Sequence, residues 1–468
     1  MANTVSTPTR RPARPTAPRR TPAAPRAWGV RRGDVVAIFG INLLLVVVMW
    51  LRHGGLDNLG SQGALLTAVG QITALVGTYA ALVQITLMSR SPWLERLFGM
   101  RPLAQWHRWL GFATVVLICA HVVFTTVGYA LGDGSSVPRE AWTLVSTYPW
   151  MLMATAGTAL LVAIALTSLR AARRRLRHET WHFVHLYAYL AIALAFGHQM
   201  AVGSDLSNDP VARGYWVALY IAVIVSVLAF RVIAPLRVSL RHDLRVDRVV
   251  QEAPGVVSVY VGGRDLHDLP ARAGQHFLWR FMTGDGWWHA HPFSLSAPPD
   301  GNHLRITVRA VGEHTHSLRR LKAGTRVVVE GPYGVFTALR RTRPRVLLVA
   351  GGIGITPLRA MLDEMPRGKG AVTLLYRARS WDDVIFRDEL DALVGEHGGV
   401  VHYIVGRRGV DVHAEPFAPR FLRQAVPDVQ QRDVFLCGPA SLEDAVQRSL
   451  ESLGVPPRQI HREHFAYL

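Results

Sequence analysis

Four histidines occupy places where a charged ring is costly. His107 and His121 lie in one long apolar run, and His185 and His198 lie in another. A titratable side chain in hydrocarbon usually has a job there. Fourteen residues separate His107 from His121, about 21 Å of helical rise and nearly four whole turns, so both rings share a face. Thirteen separate His185 from His198, about 19 Å or 3.6 turns, which sets those two on different faces of an ideal helix. With the two helices parallel, His107 is level with His185 and His121 with His198. Each level then offers two imidazoles across a helix gap, the ligand set of a six-coordinate haem, and two such haems would form an electron wire across a bilayer. Closed coordination favours electron transfer over ligand binding. His182 competes with His185 for the first level. Arg108 and Arg177 lie where they can pair with haem propionates, or serve only as topological charge.

The elements that must carry these rings are apolar spans. Six stretches, near 35–51, 63–88, 103–130, 149–169, 181–202 and 214–235, stand against the need for about 20 residues per span; the first, at about 17, is marginal. Arginines decide their orientation. The tail 1–33 holds eight, the loop 89–102 three and the loop 170–179 five, against Arg52, Arg139 and Arg213 on the opposite side. That is 16 against 3, a strong positive-inside signal, so both termini are expected in the cytoplasm of a multi-pass cell-membrane protein. The formal charge of +19 is thus mostly topology, and it needs no nucleic acid. The tail, with six prolines and no acid, is expected to be disordered. Cys119 and Cys437 are the only cysteines, which excludes a disulfide framework, a cysteine zinc site, a four-cysteine iron–sulfur cluster and a C-x-x-C-H haem attachment.

Beyond residue 236 the pattern changes. Short β-rich runs such as 305–309 and 325–330, broken by Gly/Pro turns, suggest an antiparallel barrel to about residue 341. Apolar strands then alternate with helices, the mark of a parallel α/β sheet. Gly351-Gly-Ile-Gly-Ile-Thr-Pro357 follows an apolar strand and precedes a helix, where glycines let backbone approach a pyrophosphate. Cys437-Gly-Pro439 ends a later strand at the same sheet edge, within reach of a nicotinamide. After Tyr376 come Arg377, Ala378, Arg379 and Ser380 in place of the acid that holds NAD ribose hydroxyls, which favours NADPH while leaving NADH open.

The ordered set His291-Pro-Phe-Ser-Leu-Ser296, Gly331-Pro-Tyr-Gly334, the glycine turn, Cys437-Gly-Pro439 and Glu463-His-Phe465 resembles the ferredoxin–NADP reductase-type flavin module. Preceded by six spans with paired histidines, residues 35–468 resemble the ferric reductase / NADPH oxidase superfamily. The resemblance implies a multi-domain chain: a basic tail 1–33, a transmembrane haem domain 34–236, an FAD-binding antiparallel β-barrel 237–341 and an NAD(P)-binding domain 342–468. It implies that His291, Pro292, Phe293 and Ser294 line FAD, with Ser294 near flavin N5, and that Arg309, Gly312 and Thr315 hold the FAD pyrophosphate. Gly351, Gly352, Gly354, Thr356 and Pro357, with Cys437 and Gly438, would cradle the nicotinamide dinucleotide. Arg377 and Arg379 would meet its 2′-phosphate. Phe465 would stack on the isoalloxazine, with Tyr467 as the competing residue.

The expected function is a transmembrane NAD(P)H-dependent oxidoreductase. It would carry electrons from NADPH through FAD and two b-type haems, held by His107, His121, His185 and His198, to a ferric chelate or dioxygen outside. The competing expectation is a haem-binding conduit that passes electrons to a partner redox protein.

Overall fold

The computed structural model describes residues 30–57, 59–169, 178–203, 209–284, 289–413 and 415–463. The tail expected to be disordered, up to residue 29, lies outside them, as do Arg170–Arg177, Phe465 and Tyr467. In chain order the membrane half runs α1 (Arg32–Arg52), α2 (Gln62–Leu87), a short α3 (Pro92–Phe98), α4 (Met100–Gly132), a second short helix α5 (Val137–Thr147), α6 (Met151–Ser168), α7 (His178–Val202), α8 (Pro210–Leu228), a π turn (Ala229–Ile233) and α9 (Ala234–His242). Six of its helical segments are long and apolar enough to cross a membrane, and α8 to α9 count as one of them. The marginal first stretch forms a 21-residue helix.

Two helix pairs dominate this half: α2 packs along α4, and α6 along α7, while α4 and α7 meet only marginally. Glycines explain the first pair. A Cβ on Gly63 would lie 2.8 Å from the Gly128 carbonyl oxygen, one on Gly70 would lie 2.3 Å from Thr125 Oγ1, and one on Gly77 would lie 3.1 Å from the Ile118 side chain. Seven-residue spacing keeps these three glycines on nearly one face of α2. In lipid, where apolar burial gives helices little reason to associate, such close approach supplies the packing.

The sixth span continues past the expected boundary at 236. Pro235 lacks an N–H and would crowd the carbonyl four residues back. The chain widens into the π turn there, and Ala234 N–H bonds to Ala229 O. Beyond it α9 packs on the barrel, with Val238 against the barrel core. The domain junction is therefore a helix rather than a linker.

The barrel has two three-stranded antiparallel sheets. They are formed by β1 (Arg245–Ala253), β2 (Val256–Gly262), β3 (His276–Phe281), β4 (His291–Ser294), β5 (His303–Arg309) and β6 (Val327–Tyr333), in the orders β1-β2-β5 and β4-β3-β6. Alternation in β3 turns Phe277, Trp279 and Phe281 inward. After the short α10 (Glu313–Ser317), the last domain builds a five-stranded parallel sheet from β7 (Arg345–Gly351), β8 (Val372–Ala378), β9 (Val400–Val405), β10 (Arg432–Cys437) and β11 (Ile460–Glu463). Its order is β11-β10-β7-β8-β9, with helices α11 (Ile355–Leu362), α12 (Arg387–Glu396), α13 (Pro419–Ala425) and α14 (Ala440–Ser452) between strands. The chain winds outward from β7 in both directions, so the switch point lies between β7 and β10, where ligands of such sheets bind.

Candidate electron-transfer site

The histidines meet in two levels across the slot between the helix pairs. The His107 and His185 ring centroids are 5.9 Å apart, and those of His121 and His198 are 6.4 Å apart. Two imidazoles on opposite sides of one metal, with metal–nitrogen bonds of about 2.0 Å, have centroids roughly 6 Å apart. His185, rather than His182, is the ring across from His107. The 13-residue spacing is absorbed by the side chains, because α7 runs as an uninterrupted α-helix. His185 stacks on Trp181 at 5.0 Å, whereas His198 folds back so that its Nδ1 is 2.6 Å from Ala195 O.

Hydrogen bonds also fix the proton on the other rings. His107 Nδ1 is 3.2 Å from Gln84 O, and His121 Nδ1 is 2.9 Å from Gly70 O. A carbonyl only accepts, so Nδ1 carries the hydrogen and Nε2 keeps the lone pair that a metal needs. Both acceptors are on α2, so the glycine-lined helix that supports α4 also sets the donors. His185 Nδ1 is buried without a hydrogen-bond partner. The donor set fits two haems, and among the described residues no cluster of three or more His, Cys, Asp or Glu competes with it.

In the barrel, β3–β4 pairing sets Ser294 opposite His276 and Phe293 opposite Phe277. Ser294 is 4% exposed, and its Oγ has no hydrogen-bond partner. His291 stacks between His289 at 6.2 Å and Phe293 at 5.9 Å, a flat aromatic row on one side of β4. Pro292 lies on the other side with Ser294. Arg309 pairs with Asp383 of the nucleotide domain at 2.6 Å. The Thr315 hydroxyl accepts from Val311 N–H and Gly312 N–H, which shapes the loop assigned to the pyrophosphate.

At the switch point the glycines serve packing as well as access. A Cβ on Gly354 would lie 2.3 Å from Cys437 O, and one on Gly438 would lie 3.1 Å from Gly351 Cα. Gly352 has φ of +54°, a left-handed conformation that favours glycine. Thr356 Oγ1 donates to Ile353 O, and Pro357 continues into α11. Burial pushes the Cys437 thiol well up, so it stays protonated. Gly438 N–H is held by Glu443, whose carboxyl burial pushes up to about 7. Arg377 directs its guanidinium at the Ile404 and Gly406 carbonyls, clipping β8 to β9, while Arg379 is exposed at the same edge.

Contacts that the sequence reading missed join the halves. Glu330 is paired with Arg90 at 3.4 Å and Arg280 at 3.6 Å, and Glu95 accepts the Gly334 N–H at 3.1 Å. The available signal was Glu95, an acid in the arginine-bearing loop 89–102. Within the membrane half, Arg231 of the π turn donates twice to Met88 O at the end of α2.

Comparison with known proteins agrees with this layout. Residues 73–196 match the family described as ferric reductase like transmembrane component, residues 255–337 an FAD-binding domain, and residues 348–448 an oxidoreductase NAD-binding domain. Three of the four histidines fall in the first match, and His198 lies just past its end. A ferredoxin–NADP reductase B of Sorangium cellulosum is 34% identical over 37% of this chain and 77% of its own. A flavohemoprotein of Pseudomonas putida is 32% identical over 48% of this chain and 59% of its own. The NADH oxidoreductase HCR of Escherichia coli is 29% identical over 45% of this chain and 65% of its own. The chain thus spans less than two thirds of the length of the last two.

Proposed function

Starting from a chain that belongs to the ferric reductase / NADPH oxidase superfamily, a multi-pass NAD(P)H-dependent oxidoreductase with FAD- and NAD-binding domains, we propose that it carries electrons across the membrane to an external small-molecule acceptor. When bound, NADPH supplies a hydride, FAD divides it into single electrons, and two haems conduct them. The observation that carries this reading is the pair of histidine levels, 5.9 and 6.4 Å across one slot.

The chain's own residues hold and orient. His107 and His185 hold the inner haem, and His121 and His198 the outer one. His291, Pro292, Phe293 and Ser294 line the flavin, with Arg309, Gly312 and Thr315 toward its pyrophosphate. Gly351, Gly352, Gly354, Thr356, Pro357 and Gly438 would admit the dinucleotide to the switch point, with Cys437 toward its nicotinamide. Arg379 would meet its 2′-phosphate. Both termini face the cytoplasm by the arginine count, so reduction begins inside and ends outside on a ferric chelate or dioxygen.

His121→Ala tests the route. In proteoliposomes the variant should lose one haem equivalent and reduce the external acceptor only at background rate, while NADPH still bleaches its flavin. Full external reduction by that variant would sink the assignment.

A further inference from the structure

The hexapeptide His291–Ser296 ends on a serine for which the flavin site has no use, and that serine begins a buried polar chain into the nucleotide domain. Ser296 Oγ accepts from Thr307 Oγ1 at 2.7 Å and from Arg305 Nε at 3.2 Å. Arg305 Nη2 donates to Ser296 O at 2.5 Å. The same guanidinium forks onto Glu389 of α12, with Nη1 3.2 Å from Oε2 and Nη2 3.3 Å from Oε1. A fork on a carboxylate is a strong and directional pairing. Glu389 also takes the guanidinium of Arg359, on α11, the helix that opens at the glycine turn. Arg305 is 7% exposed and Arg359 8%. One carboxylate thus holds a buried arginine from the barrel and another from the nucleotide domain. Losing it would leave buried charge uncompensated, so α12 is fixed against β5 more firmly than by a surface pair.

A second link runs from the same strand. Alternation puts Arg305 and Arg309 on one face of β5. Arg309 pairs with Asp383 at 2.6 Å, and Asp383 accepts from Ser380 Oγ at 3.1 Å. Ser380 follows Arg379 at the edge assigned to the 2′-phosphate. Arg387, which opens α12, lays its guanidinium 4.8 Å from the centre of the Trp381 ring. The segment 380–389 therefore starts at the adenosine end of the dinucleotide site and holds β5 at two points. On β5, Arg309 is the cation assigned to the FAD pyrophosphate, and Arg305 anchors Ser296, two residues beyond Ser294.

We infer that Asp383 and Glu389 are positioning residues that couple the two ligand sites. Occupancy of the adenosine end tightens the hold on FAD, and FAD tightens the hold on the dinucleotide by the same factor, as linkage requires. The cause is entropic. A phosphate held by Arg379 and Ser380 fixes the segment, so less freedom remains to be lost when Arg305 and Arg309 are fixed on the flavin side. The inference rests on the placement of FAD and the 2′-phosphate proposed above. It adds that the protein retains its flavin best while its reductant is bound.

The test uses the full-length protein loaded with FAD and haem. The probe is 2′,5′-ADP, which carries the 2′-phosphate and has no nicotinamide to touch the flavin. The FAD dissociation constant is read from the flavin fluorescence freed on serial dilution, with and without saturating probe. In the wild type, 2′,5′-ADP should lower that constant roughly fivefold. Asp383→Asn should still bind the probe and bring the factor close to one, and Asp383→Glu should restore part of it. Asp382→Asn removes the same charge from the exposed neighbouring residue and should keep the full factor. Glu389→Gln should behave as Asp383→Asn does; the partly exposed Arg309–Asp383 pair keeps the test open should Glu389→Gln fail to fold. An Asp383→Asn protein with the wild-type factor, or a wild type that binds 2′,5′-ADP with no change in FAD affinity, would overturn the inference. A wild type that does not bind 2′,5′-ADP at all would instead overturn the placement of the 2′-phosphate, and the inference with it.

Discussion

The membrane half and the nucleotide domain both rely on glycines for close approach, and they do so to opposite ends. Gly63, Gly70 and Gly77 draw α2 onto α4, which brings α2 carbonyls to the α4 histidines that face His185 and His198. Gly351, Gly354 and Gly438 draw two turns together and make a floor for a ligand. The surfaces are inverted too. Phe112 on α4 is 66% exposed, facing what would be lipid, whereas Leu347 on β7 is fully buried. In lipid an apolar side chain has no reason to turn inward, so the polar and the small residues mark the interior. In water the apolar residues mark it.

Breaking the contrast at its strongest point gives the largest effect. Gly70→Leu drives a side chain into Thr125, whose backbone N would lie 3.0 Å from a Cβ at position 70, and disturbs the carbonyl that orients His121. It should cost about 3 kcal/mol and lose outer haem, read from haem content, with FAD content unchanged. Gly354→Ala should do the reverse, keeping haem while weakening NADPH binding, read by nucleotide titration. A smaller effect should sharpen the reading of the sheet edge. Arg379→Ala should raise the KM for NADPH about tenfold, or about 1.4 kcal/mol, and leave NADH unchanged. Arg377→Ala should impair both, because its guanidinium ties β8 to β9. Equal losses with both nucleotides in Arg379→Ala would remove the 2′-phosphate role. Least of all, Arg345→Ala breaks a half-exposed pair with Asp428 at 2.8 Å and should shift stability by less than about 1 kcal/mol in thermal unfolding.

The same contrast explains what was legible in the sequence. Spans, strands and the parallel sheet follow from hydropathy and period, and the four histidines from their isolation in apolar runs. The facing partner of His107 did not follow, since His182 and His185 differ by less than a turn and only the tertiary arrangement separates them. Nor did the fate of Arg377, because a cation near a phosphate site and one that clips two strands read alike. The helical continuation past residue 236 did not follow either, because a polar, amphipathic helix end resembles the start of a soluble domain. Glu95 was hidden for a related reason: its partner Gly334 is distant in sequence.

The sixth span enters the barrel as continuous helix through a π turn, with Val238 of α9 against the barrel core. A helix turns about 100° and rises 1.5 Å for each residue. The flavin module is therefore mounted on a shaft, and its heading is set by the number of residues between Pro210 and His242. A flexible tether would forgive a one-residue insertion. This shaft would swing the Gly334 turn away from Glu95, so grafting another reductase module onto these spans must preserve angular phase as well as length.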